Sequence, residues 1–333
     1  MKKFVNDPMN VVDEMLEGFL FVNQRYVRRA SGHPRAIVRT DAPAQNRVAV
    51  ITGGGSGHKP SFIGYLGRGM LDAVAVGEVF TSPPVPTILE CIKASEGGKG
   101  AMLLLGNYAG DVMNFDMAAE LARDEGIEVE QAIATDDVGA GFADEPEKRR
   151  GVSGELLIWK CCGAAAERGD SLADVKRIAE KVNSLTRTMG VASGPCIVPA
   201  AGKPTFVLAD NEIEVGVGHH GEAGVSRELM RPVDEIVDML AEKVISDLPF
   251  GEGDEVVTVI NGLGATPLLE LYIAQRRLQQ NLAGRGIRIG RSLVGEFFTA
   301  LEMAGFSITV MRLDEELRQL LAAPAETPYW TQV

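Results

Sequence analysis

The chain has 333 residues, a length that points to about two domains of ~150 residues each. Its 33 Lys and Arg stand against 46 Asp and Glu, and the resulting charge of −13 repels nucleic-acid phosphates and anionic membrane surfaces. With 45% hydrophobic residues but no uncharged apolar run near the ~18 residues of a membrane span, the composition predicts a soluble folded protein and argues against both nucleic-acid and membrane partners.

After MKKF the acidic Asp7, Asp13 and Glu14 interrupt any leader-like apolar region, so export is not expected. The four cysteines, Cys91, Cys161, Cys162 and Cys196, have neither zinc-site spacing nor the pattern of a disulfide framework. They read as buried thiols of a reducing cytoplasm.

In chain order, Val11, Met15, Phe19 and Val22 recur at helical spacing and predict an amphipathic first helix. An alternation follows. The apolar run Val48–Ile51 leads to a glycine turn and a helix near Ser61–Met70; Ala73–Val76 leads to a turn with Pro83 and Pro84 and a helix over Pro86–Ala94. Ala101–Leu105 leads through Gly110 to a helix over Asn114–Asp124, and Val129–Ala134 is a fourth strand. Short continuous apolar strands alternating with helices predict a parallel sheet covered on both faces.

Helices are expected over Gly154–Arg168 and after Ser171, whose hydroxyl suits an N-cap. After Gly190 come strands at Cys196–Val198, Thr205–Leu208 and Ile213–Val217. They are followed by helix Asp234–Leu248, strand Val256–Ile260, helix Pro267–Gln279, strand Phe306–Met311 and helix Glu315–Leu321. The expected fold is therefore α/β, with two domains, 1–185 and 186–333, each a mainly parallel or mixed sheet flanked by helices.

Glycine, at 38 residues, is concentrated in loops that bear chemistry. Gly53-Gly-Gly-Ser-Gly-His-Lys-Pro60 directly follows a strand, where bare amides can approach a ligand at the carboxyl edge of the sheet. It lacks the Gly-Lys-Ser/Thr of a nucleotide-binding P-loop, and a tight turn without a ligand is the alternative. Asn107-Tyr-Ala-Gly-Asp111 should emerge at the same edge, so that Asp111 can face His58; a helix cap is the bland reading of that carboxylate. Glu78-Val-Phe-Thr-Ser-Pro83 ends the intervening strand and can add hydroxyls there.

Gly216-Val-Gly-His-His-Gly-Glu-Ala-Gly224 sets His219 and His220 among four glycines beside Glu222. Adjacent side chains point opposite ways, which disfavours a shared metal, and no metal site is expected. A neutral imidazole fixed through one nitrogen can attack an electrophilic carbon with the other; the alternative is a turn in which both rings bond backbone. His33, beside Pro34, reads as an exposed bystander.

These loops, GGGSGHKP, GEVFTSPP, NYAGD and GVGHHGEAG, resemble in order and spacing the substrate-binding K subunit of the dihydroxyacetone kinase family. Arg39-Thr-Asp-Ala-Pro43, Arg150-Gly-Val152, Ala200-Ala-Gly-Lys-Pro204, Asn261-Gly-Leu-Gly-Ala-Thr-Pro267 and Met303-Ala-Gly-Phe-Ser307 extend the likeness over nearly the whole chain. The resemblance implies a ketose held as a hemiaminal on His220, with His58 and Asp111 as acid/base pair for the hydroxyl that is phosphorylated. Gly55, Ser56 and Gly57 would then cradle the substrate.

Two positions depart from the family pattern: Lys59 replaces a glutamate, and Gly106 replaces a substrate-contacting lysine. Both are counted as substrate-binding positions, and the loss at 106 is expected to make room for a ketose longer than dihydroxyacetone, such as a tetrulose. The resemblance further implies a homodimer with no cofactor of its own, completed by an L subunit carrying ATP or ADP with magnesium. Some relatives of this kind instead sense the sugar for a transcription regulator, which is the alternative function.

Overall fold

The computed structural model describes residues 2–43, 45–140 and 144–333. The chain divides into two compact units: residues 1–134, 155–182 and 319–333 form the first, and residues 135–154 and 183–318 the second. The chain crosses between the units at 134/135, 154/155, 182/183 and 318/319, where the sequence predicts one boundary at 185. Residues 135–154 and the C-terminal stretch, however, each belong to the unit opposite the one a single cut would give.

In the first unit, helix α1 (Val11–Val22) precedes strands β1 (Val27–Arg29), β2 (Ala36–Arg39), β3 (Ala49–Ser56) and β4 (Ala73–Val79). Helix α2 (Val85–Ser95), β5 (Ala101–Gly106), α3 (Ala109–Asp124) and β6 (Val129–Ala134) follow. The sheet order is β1-β2-β4-β3-β5-β6. β4, β3, β5 and β6 are parallel, as the apolar runs predict, while β2 joins β4 and β1 joins β2 antiparallel, making the sheet mixed.

Alternation along β3 and β5 explains why their runs are continuously apolar. Ala49, Ile51, Leu103 and Leu105 share a core with Ile88 and Ile92 of α2 and Phe115 and Ala119 of α3. Val50, Met102 and Leu104, pointing the other way, are equally buried, and helix α4 (Glu155–Arg168) contacts both strands. Every residue of α4 from Glu155 to Ala166 is buried. Helix α5 (Leu172–Ser184) begins after Ser171, whose hydroxyl accepts the Asp174 amide at 3.2 Å as a cap should.

The helix expected over Ser61–Met70 is absent: only a short 3-10 turn, Ile63–Tyr65, forms there. Two glycines, Gly67 and Gly69, have positive φ, which breaks any helix before it closes a second turn.

The second unit contains β7 (Thr186–Gly194), β8 (Glu212–Val215), β9 (Ser226–Leu229), α6 (Val233–Asp247), β10 (Glu255–Gly262), α7 (Leu268–Gly284), β11 (Arg288–Gly295) and β12 (Ala304–Leu313). Its order is β11-β10-β12-β7-β8-β9, with only β10–β11 parallel. Apolar faces of α6 and α7, including Leu240, Val244, Leu271 and Leu278, pack with Val256, Ile260 and Ile308. The strands expected at Cys196–Val198 and Thr205–Leu208 reduce to one isolated bridge, Ile197 with Pro204. Helix α8 (Glu315–Ala322) and the short pair β13 (Ala325–Glu326) and β14 (Thr331–Gln332) end the chain. Among the described residues, no helix is long and apolar enough to cross a membrane.

Candidate functional site

The glycine run is not the turn expected from its composition. Gly53, Gly54, Gly55 and Ser56 are the last residues of β3, all buried. Their missing side chains let neighbours close in. A Cβ on Gly54 would stand 2.6 Å from the Phe62 ring, and one on Gly55 would stand 2.6 Å from the Thr81 nitrogen and 2.9 Å from the Phe80 Cα. The Ser56 hydroxyl donates to the Gly77 carbonyl at 2.9 Å, and the Phe80 amide donates to the Ser56 carbonyl at 2.9 Å. The chain turns only at Gly57, where φ is +109°.

This packing delivers His58, 1% exposed, onto an aromatic seat. Its ring stacks on Phe80 at 5.1 Å between centroids and meets the edge of Phe62 at 6.2 Å. Phe80 itself holds a left-handed backbone, φ +54°, an uncommon state for a bulky residue, here within the motif that follows β4. Lys59 is half-buried, and burial lowers its ammonium to about 8; the group donates to the Ser61 carbonyl at 3.2 Å.

Asp111 lies in the first turn of α3 and is 8% exposed. The N-cap of α3 is Tyr108, so Asp111 is not the cap residue that the bland reading assumed. His58 and Asp111 both follow the carboxyl ends of strands that pair directly, β3 with β5. Ser82 also belongs here: its Oγ is 2.7 Å from where a Cβ of Gly110 would stand, and the Asn114 amide donates to the Pro83 carbonyl at 2.9 Å.

The space beside Gly106, at the end of β5, is bordered by two side chains. A Cβ there would lie 2.7 Å from Glu155 Oε1 and 3.2 Å from the Tyr108 ring. Glu155, 49 residues on, and Tyr108 are what a side chain at this position meets first.

In the second unit the histidine loop joins β8 to β9. The two rings part company, as adjacent side chains should. His219 is buried, tilted against Phe298 at 4.5 Å, and burial takes its imidazole down to about 3, aided by the charges of His220 and Arg150. His220 is the accessible one, its side chain 24% exposed. Its Nδ1 lies 2.9 Å from Glu222 Oε1, and its backbone amide donates to Glu222 Oε2 at 2.8 Å. Burial alone would raise the Glu222 carboxyl, but the hydrogen bonds from the His220 side chain and backbone hold it at about 2. An ionised acceptor at Nδ1 fixes the tautomer that leaves a lone pair on Nε2.

Glu222 enters the sequence reading only as a neighbour of the histidines; its grip on His220 follows from the bend at Gly221, φ +80°. His33 is not a bystander: it is half-buried, accepts the Arg35 amide at 3.3 Å and lies 3.2 Å from the Thr87 hydroxyl, bracing a turn.

Residues 17–329 match the model of the Dak1 domain. The chain is 43% identical over 330 residues to the dihydroxyacetone-binding subunit of PTS-dependent dihydroxyacetone kinase 2 of Listeria innocua, covering 99% of both. It is 43% identical over 328 residues to the D-erythrulose kinase of Mycolicibacterium smegmatis, covering 98% of this chain but 56% of that protein. The dihydroxyacetone kinase from C. freundii superposes with a TM-score of 0.90 at 34% identity, over 99% of this chain and 61% of that one. A dihydroxyacetone kinase operon co-activator also superposes with a TM-score of 0.90, at 30% identity, over 96% of this chain and 98% of its own. By sequence and by fold, the chain belongs to the Dak1 family.

Proposed function

We propose that this chain is the ketose-binding subunit of a dihydroxyacetone-type kinase, acting on dihydroxyacetone or a tetrulose, and that His220 captures the substrate carbonyl. The observation that carries the reading is the Glu222–His220 pair: Oε1 on Nδ1 at 2.9 Å and Oε2 on the backbone amide of the same residue at 2.8 Å. The Nε2 lone pair adds to the carbonyl carbon, and the π pair moves onto oxygen, which takes a proton from water. The hydroxide so formed takes the Nδ1 proton by way of Glu222, which ends as the carboxylate it began as, so an N–H has been added across the C=O bond with no redox change. Only carbonyl compounds form this bond, which separates a ketose from a polyol of the same length.

His58 takes the proton from the substrate hydroxyl as that oxygen attacks the phosphoryl group, and Asp111 supports the imidazolium so formed. ATP or ADP with magnesium belongs to a separate L subunit in this reading. The phosphate comes through that partner, and the chain works as a homodimer.

The test is intact-protein mass spectrometry after incubation with dihydroxyacetone and with erythrulose, followed by peptide mapping and by turnover with an L subunit. An adduct on His220 and phosphorylated ketose are expected; an adduct on His219, or none, would refute the assignment. The likeness to an operon co-activator favours a second reading, a sugar sensor. His58 and Asp111 argue for the kinase, because a sensor needs only the capturing histidine. In a kinase, His58→Ala keeps capture and loses turnover; a sensor shows no turnover even with wild-type protein and a competent L subunit.

A further inference from the structure

Arg150 plays no part in the chemistry above, yet it ties the histidine loop to the body of the second unit. Its partner is Asp137, 2% exposed, whose Oδ2 accepts from Arg150 Nε at 2.8 Å and Nη2 at 2.7 Å. The Asp137 Oδ1 accepts the Gly139 amide at 2.8 Å, so the carboxylate is held on both oxygens. Burial raises the Asp137 carboxyl, and the Arg150 charge opposes that rise.

From this anchor the guanidinium reaches the loop twice. Nη2 donates to the Gly216 carbonyl at 2.8 Å, at the residue where the chain leaves β8. Nη1 flanks Gly218: a Cβ there would stand 2.5 Å from Nη1 and would also run into Glu222 Oε2. The guanidinium and the carboxylate that grips His220 therefore converge on one glycine. Gly216 is pinned from its other side as well, since Gly139 packs with its Cα 3.1 Å from where a Gly216 Cβ would stand.

A pair serving only to staple residues 135–154 would end at Asp137. This one continues into the carbonyl that starts a loop with four glycines in nine residues, a backbone with little rigidity of its own. We infer that Arg150, seated by Asp137, is a positioning residue for His220: it fixes the root of the loop and the place of Glu222, and through Glu222 the Nδ1–H tautomer of His220. The inference rests on the reading of His220 as the capturing residue.

The test compares wild-type, Arg150→Gln, Arg150→Lys and Gly218→Ala proteins, full length, in two measurements. One is the rate of adduct formation with dihydroxyacetone; the other is the His220 tautomer, read by NMR of protein labelled with 15N-histidine. Arg150→Gln is expected to slow capture about ten- to a hundredfold, the scale of a misplaced nucleophile, and to shift the tautomer away from Nδ1–H. Arg150→Lys should recover part of both effects.

Gly218→Ala leaves Asp137 and Arg150 intact but wedges Arg150 and Glu222 apart, and should reproduce the tautomer shift. It also decides the matter together with Arg150→Lys if Arg150→Gln does not fold. Wild-type tautomer and capture rate in Arg150→Gln, or in both of the other variants where it fails to fold, would overturn the inference. If wild-type protein captures no ketose, the proposed role of His220 falls, while the tautomer comparison still decides what Arg150 does.

Discussion

His219 and His220 show how adjacent residues of one type take different work from their surroundings. His220→Ala should abolish covalent capture. His219→Ala should leave capture largely intact and cost about 2 to 3 kcal/mol of stability, because it empties space against Phe298. Capture by mass spectrometry and unfolding by urea separate the two effects.

Lys59 carries a pH signature. Its ammonium titrates at about 8 in the folded chain against 10.5 when free, so between those values the unfolded chain binds the extra proton. Stability should therefore rise with pH across that window, and Lys59→Met should flatten the rise in denaturation curves taken at pH 8 and pH 10.5. At Gly106 a lysine must displace the Glu155 carboxylate, 2.7 Å from its Cβ. Gly106→Lys with Lys59→Glu is expected to move the ligand ranking from tetrulose toward dihydroxyacetone; an unchanged ranking in competition binding would show that the two departures do not set specificity.

Among the elements, β3 is the one whose function depends on what it lacks. Glycine is poor strand material, yet three in a row let the segment after β4 lie against the strand and place Phe80 under His58. Gly55→Ala puts a methyl into the backbone of Phe80 and Thr81, and the segment must move. We expect a loss of about 1 to 3 kcal/mol in urea denaturation, together with a fall in turnover, since His58 loses its seat. A variant with native stability and full turnover would show that the close approach is dispensable.

For the whole molecule, one charge cluster dominates the first unit. Asp72, 1% exposed, accepts from Arg39 Nη1 at 3.1 Å, from Arg47 at 2.6 and 2.9 Å and from the Val50 amide at 2.8 Å; Glu167 accepts from the same Nη1 of Arg39 at 2.7 Å, and Asp41 takes its Nε and Nη2 at 2.8 and 2.7 Å. Arg39 opens the RTDAP segment, whose likeness to the family is thereby given a structural use. Asp72→Ala takes from Arg47 its hydrogen-bonded carboxylate and leaves Arg39 with Asp41 and Glu167, and it should cost about 3 to 5 kcal/mol, measurable by urea unfolding; a loss below 1 kcal/mol would mean that the remaining carboxylates suffice.

The local sequence determined what depends on local spacing. Apolar runs placed β5 and β6 within a residue, the stretches read as helix between strands placed α2, α4 and α6 within a residue at each end, and the order of the loops identified the family and the histidine that Glu222 grips. Tertiary structure decided the rest. A glycine run reads as a turn in isolation and becomes a strand only because Ala75, Phe62 and Phe80 close on it. The polar, alternating β11 shows no apolar run because it is a sheet edge, and the side chain that Gly106 faces belongs to Glu155, 49 residues on. Asp137, Arg150 and Gly216 likewise show no common period. Periodicity records which face of an element is buried, whereas the partner across a long loop closure is chosen by packing and charge between segments that carry no mark of each other.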